Sequence, residues 1–321
     1  MIPMEAVGII GLGIMGGTMA ANLRQAGWRV LGYDPDPARA AAAGIEPRDS
    51  PEVLAREATI LMTSLPSPAA LHATSEAIAR SGAERRVVVE ASTMALDDKM
   101  AFADTLRQAG HVPLDCPISG TGAQAKTRDL VIYASGDGAE IARLHPFFEG
   151  FARAVHDLGE YGNGSRMKYV ANLLVAIHNV ATAEAIVLGR KAGLDPAQIV
   201  ALVGAGAGNS RVFELRAPLM AANHYDDPTM KMSIWQKDMA IIGAYAAALG
   251  VPTPLLSATV PIYASAMATG HAEHDTAAVC AVLEAMAGIP RTASPHASPH
   301  ASPHASPHAG PHASPHDSPH D

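Results

Sequence analysis

The segment Ala6-Val7-Gly8-Ile9-Ile10-Gly11-Leu12-Gly13-Ile14-Met15-Gly16-Gly17 joins a β-branched run to an alanine-rich stretch through four closely spaced glycines. A strand, a tight turn and the start of a helix suit that order. Gly11 permits the turn, Gly13 lets the backbone approach a pyrophosphate, and Gly16 lets helix and strand pack closely. The next run of strand character ends in Gly32-Tyr33-Asp34, so Asp34 stands 23 positions beyond Gly11. That is near the spacing of the carboxylate that holds adenosine ribose hydroxyls in dinucleotide-binding folds. Gly11, Leu12, Gly13, Ile14, Met15, Gly16 and Asp34 are therefore read as cofactor contacts. A carboxylate at Asp34 repels the 2′-phosphate of NADP, and the next four residues, Pro35, Asp36, Pro37 and Ala38, offer no arginine to receive it. NAD is favoured over NADP, with Arg39 the nearest cation to the contrary.

Working outward, residues 6–23 form an apolar run almost long enough to span a bilayer. Its clustered glycines suit a strand, turn and helix better than a membrane helix, so no membrane partner is expected. Short β-branched runs recur at 6–10, 29–33, 59–63, 87–90, 112–115 and 130–134, with alanine-rich stretches between most of them. That alternation indicates βαβ units and a mainly parallel sheet, an α/β Rossmann-type doubly wound arrangement, which a further run at 154–158 is expected to close. Beyond Gly164 the strand signal stops. From Ser165 to about Met286 the chain is helical in composition, broken at 193–196, 204–208 and 250–254. The expected organisation is an NAD-binding domain over 1–164, an all-α domain for substrate and oligomerisation over 165–290, and a tail over 291–321.

The tail repeats Ala-Ser-Pro-His with small variations and carries seven of the 15 histidines. Proline at every fourth residue forbids helix and sheet, so an extended, disordered segment is expected. Histidines four apart in a polyproline II chain lie about 12 Å from one another, too far to share one ion without looping back. The tail reads as an appendage outside the chemistry rather than a metal site, and no metal is assigned.

Composition narrows the function. Aromatic residues make up 4% of the chain and the net charge is -8, so the chain lacks both stacking platforms and a basic footprint for nucleic acid. The two cysteines are too few for a disulfide framework, and the N-terminus lacks a signal-peptide pattern. A reduced, cytoplasmic setting is expected. Cys116 has no histidine near it in sequence and reads as a small buried residue, not a nucleophile.

Two further stretches bear on chemistry. Asp115-Cys116-Pro117-Ile118-Ser119-Gly120-Thr121-Gly122-Ala123 follows a strand, and its Ser-Gly-Thr-Gly run suits a carboxylate cradle or an ordinary turn equally well. Gly162-Asn163-Gly164-Ser165-Arg166-Met167-Lys168 begins a helix expected over 165–192, about 40 Å long at about 1.5 Å per residue. Ser165 is its expected N-cap. In a phosphate loop the lysine directly follows the glycine and is itself followed by Ser or Thr; neither condition holds. Lys168 and Asn172, spaced i, i+4, share one helix face and better suit polarising a carbonyl or hydroxyl oxygen.

In order and spacing these motifs resemble the β-hydroxyacid dehydrogenase family, over about residues 5–289. The match runs through Gly11-Leu12-Gly13, Met15-Gly16 and Met19-Ala20-Ala21-Asn22-Leu23. It continues through Asp115, Pro117, Ser119, Gly120 and Gly122, then Gly162, Gly164, Lys168 and Asn172, and ends in Lys237-Asp238. The resemblance implies that Lys168 is the general acid/base, that Ser119 and Asn172 orient the substrate with Gly120 and Thr121 beside it, and that Lys237 lies near nicotinamide and substrate. It adds Leu65, Pro66 and Thr93 as cofactor contacts. Thr121, Glu90 and Ala171 depart from the family's usual residues. Thr121 and Ala171 border the substrate and so bear on its identity. His178 reads as a core histidine.

The expected function is NAD-dependent interconversion of a small 3-hydroxy acid: 3-hydroxyisobutyrate, 2-hydroxy-3-oxopropionate or a four-carbon sugar acid such as threonate. The competing readings are an NADPH-dependent reductase of glyoxylate or succinic semialdehyde, and a non-catalytic nucleotide-binding or metal-handling protein. A homodimer or homotetramer is expected from the alanine-rich helices.

Overall fold

A computed structural model describes residues 5–290. Six strands, β1 (Ala6–Ile10), β2 (Arg29–Tyr33), β3 (Glu46–Pro47), β4 (Ile60–Thr63), β5 (Val87–Glu90) and β6 (Val112–Asp115), form an all-parallel sheet in the order β3-β2-β1-β4-β5-β6. The chain runs from β1 outward to β3, then crosses back to β4 on the other side of β1. That reversal leaves a crevice at the carboxyl ends of β1 and β4, where open α/β sheets bind ligands. Helices cover both faces, so successive strand residues bury on opposite sides: Ile9 packs with Met19, Leu23 and Phe147, whereas Ile10 packs with Leu31, Leu61 and Phe102. The apolar run 6–23 is divided between β1 and the helix Ile14–Gln25.

Two of the expected strands do not close this sheet. β7 (Ile118–Ser119), β8 (Val131–Ala134) and β9 (Ala154–Asp157) make a separate three-stranded sheet, antiparallel between β7 and β8 and parallel between β8 and β9. The reason lies in the connection. Between β6 and β8 stand only the two-residue β7 and a five-residue helix, Gly122–Lys126, which rises about 7 Å and cannot return the chain to the start of the sheet. β8 therefore passes the end of β6 in the antiparallel sense, through the Asp115–Ser135 bridge. β3, unannounced in sequence, is a two-residue exposed edge strand that ends in Pro47, where a missing N–H costs no sheet hydrogen bond.

Among the described residues no strand follows β9. Six α-helices pack around a third apolar cluster containing Tyr169, Ile186, Phe213, Trp235 and Tyr263. The longest, Asn163–Lys191, spans about 43 Å at 1.5 Å per residue. By length and composition it is apolar enough to cross a membrane, yet Ala176, Ala183 and Ile186 are fully buried within the helical cluster. The Ala-Ser-Pro-His tail, with its expected extended form and its histidines, lies outside the described residues.

Candidate active site

The glycine turn at the end of β1 is built for close approach. Gly11 has a φ of 90°, and a Cβ there would stand 2.2 Å from the carbonyl oxygen of Ser64. Gly13 caps the helix Ile14–Gln25 without a side chain, so the first helical N–H groups face outward for an anion. Leu12 N donates to Asp34 Oδ2 at 2.8 Å and Asp36 N donates to Asp34 Oδ1 at 3.0 Å, which aims the carboxylate across the turn. Arg39 Nη1 lies 3.4 Å from Asp34 Oδ2.

A cavity of about 1410 Å³ runs from this turn along the strand ends to the long helix. It exceeds the roughly 300–1,000 Å³ typical of a single small-ligand pocket, which leaves room for a dinucleotide and a small substrate together. Gly11, Leu12, Gly13, Ile14, Met15, Asp34, Leu65, Pro66, Thr93, Gly120, Lys168 and Lys237 all line it. Gly16 does not; it sits beneath the turn, where a Cβ would be 1.9 Å from the Gly11 carbonyl oxygen.

Ser119, Thr121 and Asn172 also stand off the cavity wall. Ser119 pairs with Val131 in the second sheet. Thr121 begins the helix Gly122–Lys126, its N–H donating to Gln124 Oε1 at 3.1 Å, so this polar group serves the local turn. Asn172 is 4% exposed, and its Nδ2 donates to Asp238 Oδ2 at 3.0 Å. His178 is half-buried and off the wall. Cys116 is buried, and burial pushes its thiol pKa up, against nucleophilic use.

Lys168 is 7% exposed and faces the cavity. Desolvation lowers its pKa from the usual lysine range to about 8, the positive charge of Lys237 pushes the same way, and Asp238 opposes both. Lys237 Nζ lies 3.0 Å from Asp238 Oδ1 and donates to the carbonyl oxygen of Thr93. Asp238 therefore joins three groups: it accepts from Asn172, pairs with Lys237 and acts electrostatically on Lys168. Sequence reading placed it only as the partner of Lys237.

The long helix does not begin at Ser165. Its N-cap is Gly162, with a φ of 96°, and Ser165 lies in the first turn, where its N–H and hydroxyl donate to the two Asp115 carboxylate oxygens, each at 2.8 Å. Gly164 allows this approach, since a Cβ there would meet the carbonyl oxygens of Tyr133 at 2.3 Å and Asp115 at 2.6 Å. Asp115 in turn accepts from Lys99 Nζ at 2.8 Å, and Lys99 also pairs with Glu90; all three side chains are fully buried. Sequence reading also missed Thr229, Met230, Lys231, Ser233 and Ile234, which line the cavity beside Lys237. The one available signal was their position just ahead of the Lys237-Asp238 pair.

Comparison with known proteins agrees with this layout. A family profile described as the NAD binding domain of 6-phosphogluconate dehydrogenase matches residues 6–159. A second, described as NAD-binding of NADP-dependent 3-hydroxyisobutyrate dehydrogenase, matches residues 162–283. An L-threonate dehydrogenase of Cupriavidus necator is 30% identical over 280 residues, 85% of this chain and 94% of that one. Glyoxylate/succinic semialdehyde reductase 2 of Arabidopsis thaliana is 29% identical over 289 residues, 87% of this chain and 80% of that one. The crystal structure of a 3-hydroxyisobutyrate dehydrogenase from Salmonella typhimurium superposes with a TM-score of 0.79 at 29% identity, covering 87% of this chain and 99% of that one.

Proposed function

Because the chain belongs to the β-hydroxyacid dehydrogenase family, an NAD(P)-dependent group of oxidoreductases acting on CH–OH, we propose that it interconverts a small 3-hydroxy acid and its oxo form, with NAD as cofactor and Lys168 as general acid/base. The substrate class comprises 3-hydroxyisobutyrate, 2-hydroxy-3-oxopropionate and four-carbon sugar acids such as threonate. The observation that carries this reading is a single cavity lined at one end by the glycine turn and Asp34 and at the other by the buried Lys168.

The residues present fit a nicotinamide dinucleotide. The turn has no side chain at Gly11 or Gly13, free helical N–H groups lie beside it, and Asp34, oriented by Leu12, has the chemistry to accept from ribose hydroxyls. When bound, the cofactor supplies the hydride acceptor or donor. In the oxidative direction the neutral Lys168 amine accepts the substrate hydroxyl proton; in the reductive direction the ammonium returns it. A pKa of about 8 leaves both forms populated near neutral pH. Lys237 places a second positive charge on the same wall, suited to the carboxylate of an acid substrate, while Asp238 balances the two lysines.

One observation favours a second reading, the NADPH-dependent reduction of small aldehyde acids such as glyoxylate or succinic semialdehyde. Arg39 lines the cavity beside Asp34 and offers a guanidinium to a 2′-phosphate. Initial rates with NAD and NADP across three- to five-carbon hydroxy acids, and with NADH and NADPH across the matching oxo acids, separate the two. Turnover of 3-hydroxy acids with NAD supports the first. Turnover confined to NADPH and aldehyde acids replaces it with the second.

A further inference from the structure

The Glu90, Lys99 and Asp115 side chains take no part in the chemistry above, yet they are fully buried. Taking two carboxyl groups and an ammonium out of water is costly unless hydrogen bonds satisfy the group, and such clusters are weak contributors to stability compared with apolar packing. Here nearly every oxygen has a structural partner. Glu90 Oε1 accepts from Ser92 N at 2.8 Å and Thr63 Oγ1 at 3.3 Å. Ser92 Oγ accepts in turn from Leu65 N at 2.8 Å. Leu65, Ser92 and the adjoining Thr93 line the cavity.

On the other side of Lys99, Asp115 holds Ser165 by both its N–H and its hydroxyl, and Ser135 Oγ accepts from Gly164 N at 2.9 Å while lying 3.3 Å from Asp115 Oδ2. Tyr161, just before the long helix, donates its hydroxyl to the Lys99 carbonyl oxygen at 3.1 Å. Lys168 lies one turn beyond Ser165, so any rotation of the first turn carries it along. Two bonds from one carboxylate to the N–H and hydroxyl of one residue fix that rotation, and without the hydroxyl bond only the two backbone N–H bonds of Gly164 and Ser165 restrain it.

We propose that the buried Glu90–Lys99–Asp115 cluster is a positioning device that sets the long helix, and with it Lys168, in register with the Leu65 and Thr93 loops across the cavity. The inference rests on Lys168 as the proton-transfer residue. Asp115 and Ser165 act through Lys168 and not on the substrate.

The test is the pair Ser165→Ala and Ser165→Thr, which respectively remove and retain one hydroxyl bond to Asp115 without altering the cavity wall. Ser165→Ala is expected to lower kcat by between about tenfold and a hundredfold, the scale of a misplaced catalytic group, while the Kd for NADH stays within about twofold of the parent's. A looser Lys168 is better hydrated, so the pH limb of kcat moves up toward the ordinary lysine range. Ser165→Thr restores both the rate and the limb. A Ser165→Ala protein that melts earlier but keeps kcat and its pH limb overturns the proposal, as does a loss that threonine does not restore. Lys168→Ala, assayed alongside, separates the two claims: turnover retained there removes the proton-transfer reading itself, whereas its loss with Ser165→Ala unaffected removes only the positioning role.

Discussion

Leu12 donates its backbone N–H to Asp34 Oδ2 at 2.8 Å, linking the turn after β1 to the end of β2. The bond aims the Asp34 carboxylate into the cavity and leaves Arg39, 3.4 Å away, held by the same oxygen.

Replacing Asp34 with asparagine keeps the size of the side chain and removes its charge. The repulsion of a 2′-phosphate disappears and Arg39 is released toward the cavity. NADP is expected to gain on NAD by at least about tenfold in kcat/KM, measured by initial rates with each cofactor at fixed substrate. An unchanged ratio would show that Asp34 does not set the preference.

The Lys168 environment sets a pH dependence of opposite sign in the two directions. With Lys168 as the proposed general acid/base, oxidation uses the neutral amine, so its kcat is expected to rise with pH through about 8 and then level; reduction uses the ammonium, so its kcat is expected to be level below that pH and fall above it. Rate profiles between pH 6 and 10 in both directions check this. Limbs that run the same way in both would contradict the assignment of Lys168.

Asp238 raises the Lys168 pKa, against burial and Lys237. Asp238→Asn therefore moves the pH limb of oxidation below its position in the parent protein, the reverse of the shift expected for Ser165→Ala. The asparagine oxygen can still accept from Asn172, while Lys237 loses its carboxylate partner, so an acid substrate should bind no more weakly, visible as a KM that does not rise.

Gly164→Ala tests the packing of the long helix on the second sheet. The added methyl would meet two backbone carbonyl oxygens, and backbone cannot yield as a flexible side chain does. A loss of about 1–3 kcal/mol is expected, the usual range for overpacking, read as an earlier thermal transition. A protein as stable as the parent would mean that the helix end can move away from β6 and β8 without cost.

The glycine turn at one end of the cavity was legible because its pattern follows from local backbone geometry, which Gly11 and Gly16 carry wherever the turn occurs. Lys168 was legible from its spacing to Gly162, Gly164 and Asn172. The second sheet was not, because its membership depends on how far a five-residue helix can carry the chain, a property of the connection and not of the strands. Lys99 follows two aspartates in a stretch that reads as a solvated helix start, and only tertiary packing shows that it lies between Glu90 and Asp115. Ser165 looked like a cap for the same reason: a serine after glycine suits that role, and its real partner stands 50 positions earlier in the chain. The segment around Met230 carries no local pattern, since the groups that hold Thr229 and Met230 are Asp275 and Thr276, some 45 positions further along the chain.

The most direct measurement is turnover and NADH affinity of Lys168→Ala on the best substrate found for the parent protein. Loss of the proton-transfer group should lower kcat by about 10²–10⁴-fold while the Kd for NADH, from fluorescence titration, stays within about threefold of the parent value, because the cradle at Gly11, Gly13 and Asp34 is untouched. A variant that binds NADH normally and turns over at the parent rate would contradict the role of Lys168 in the reaction.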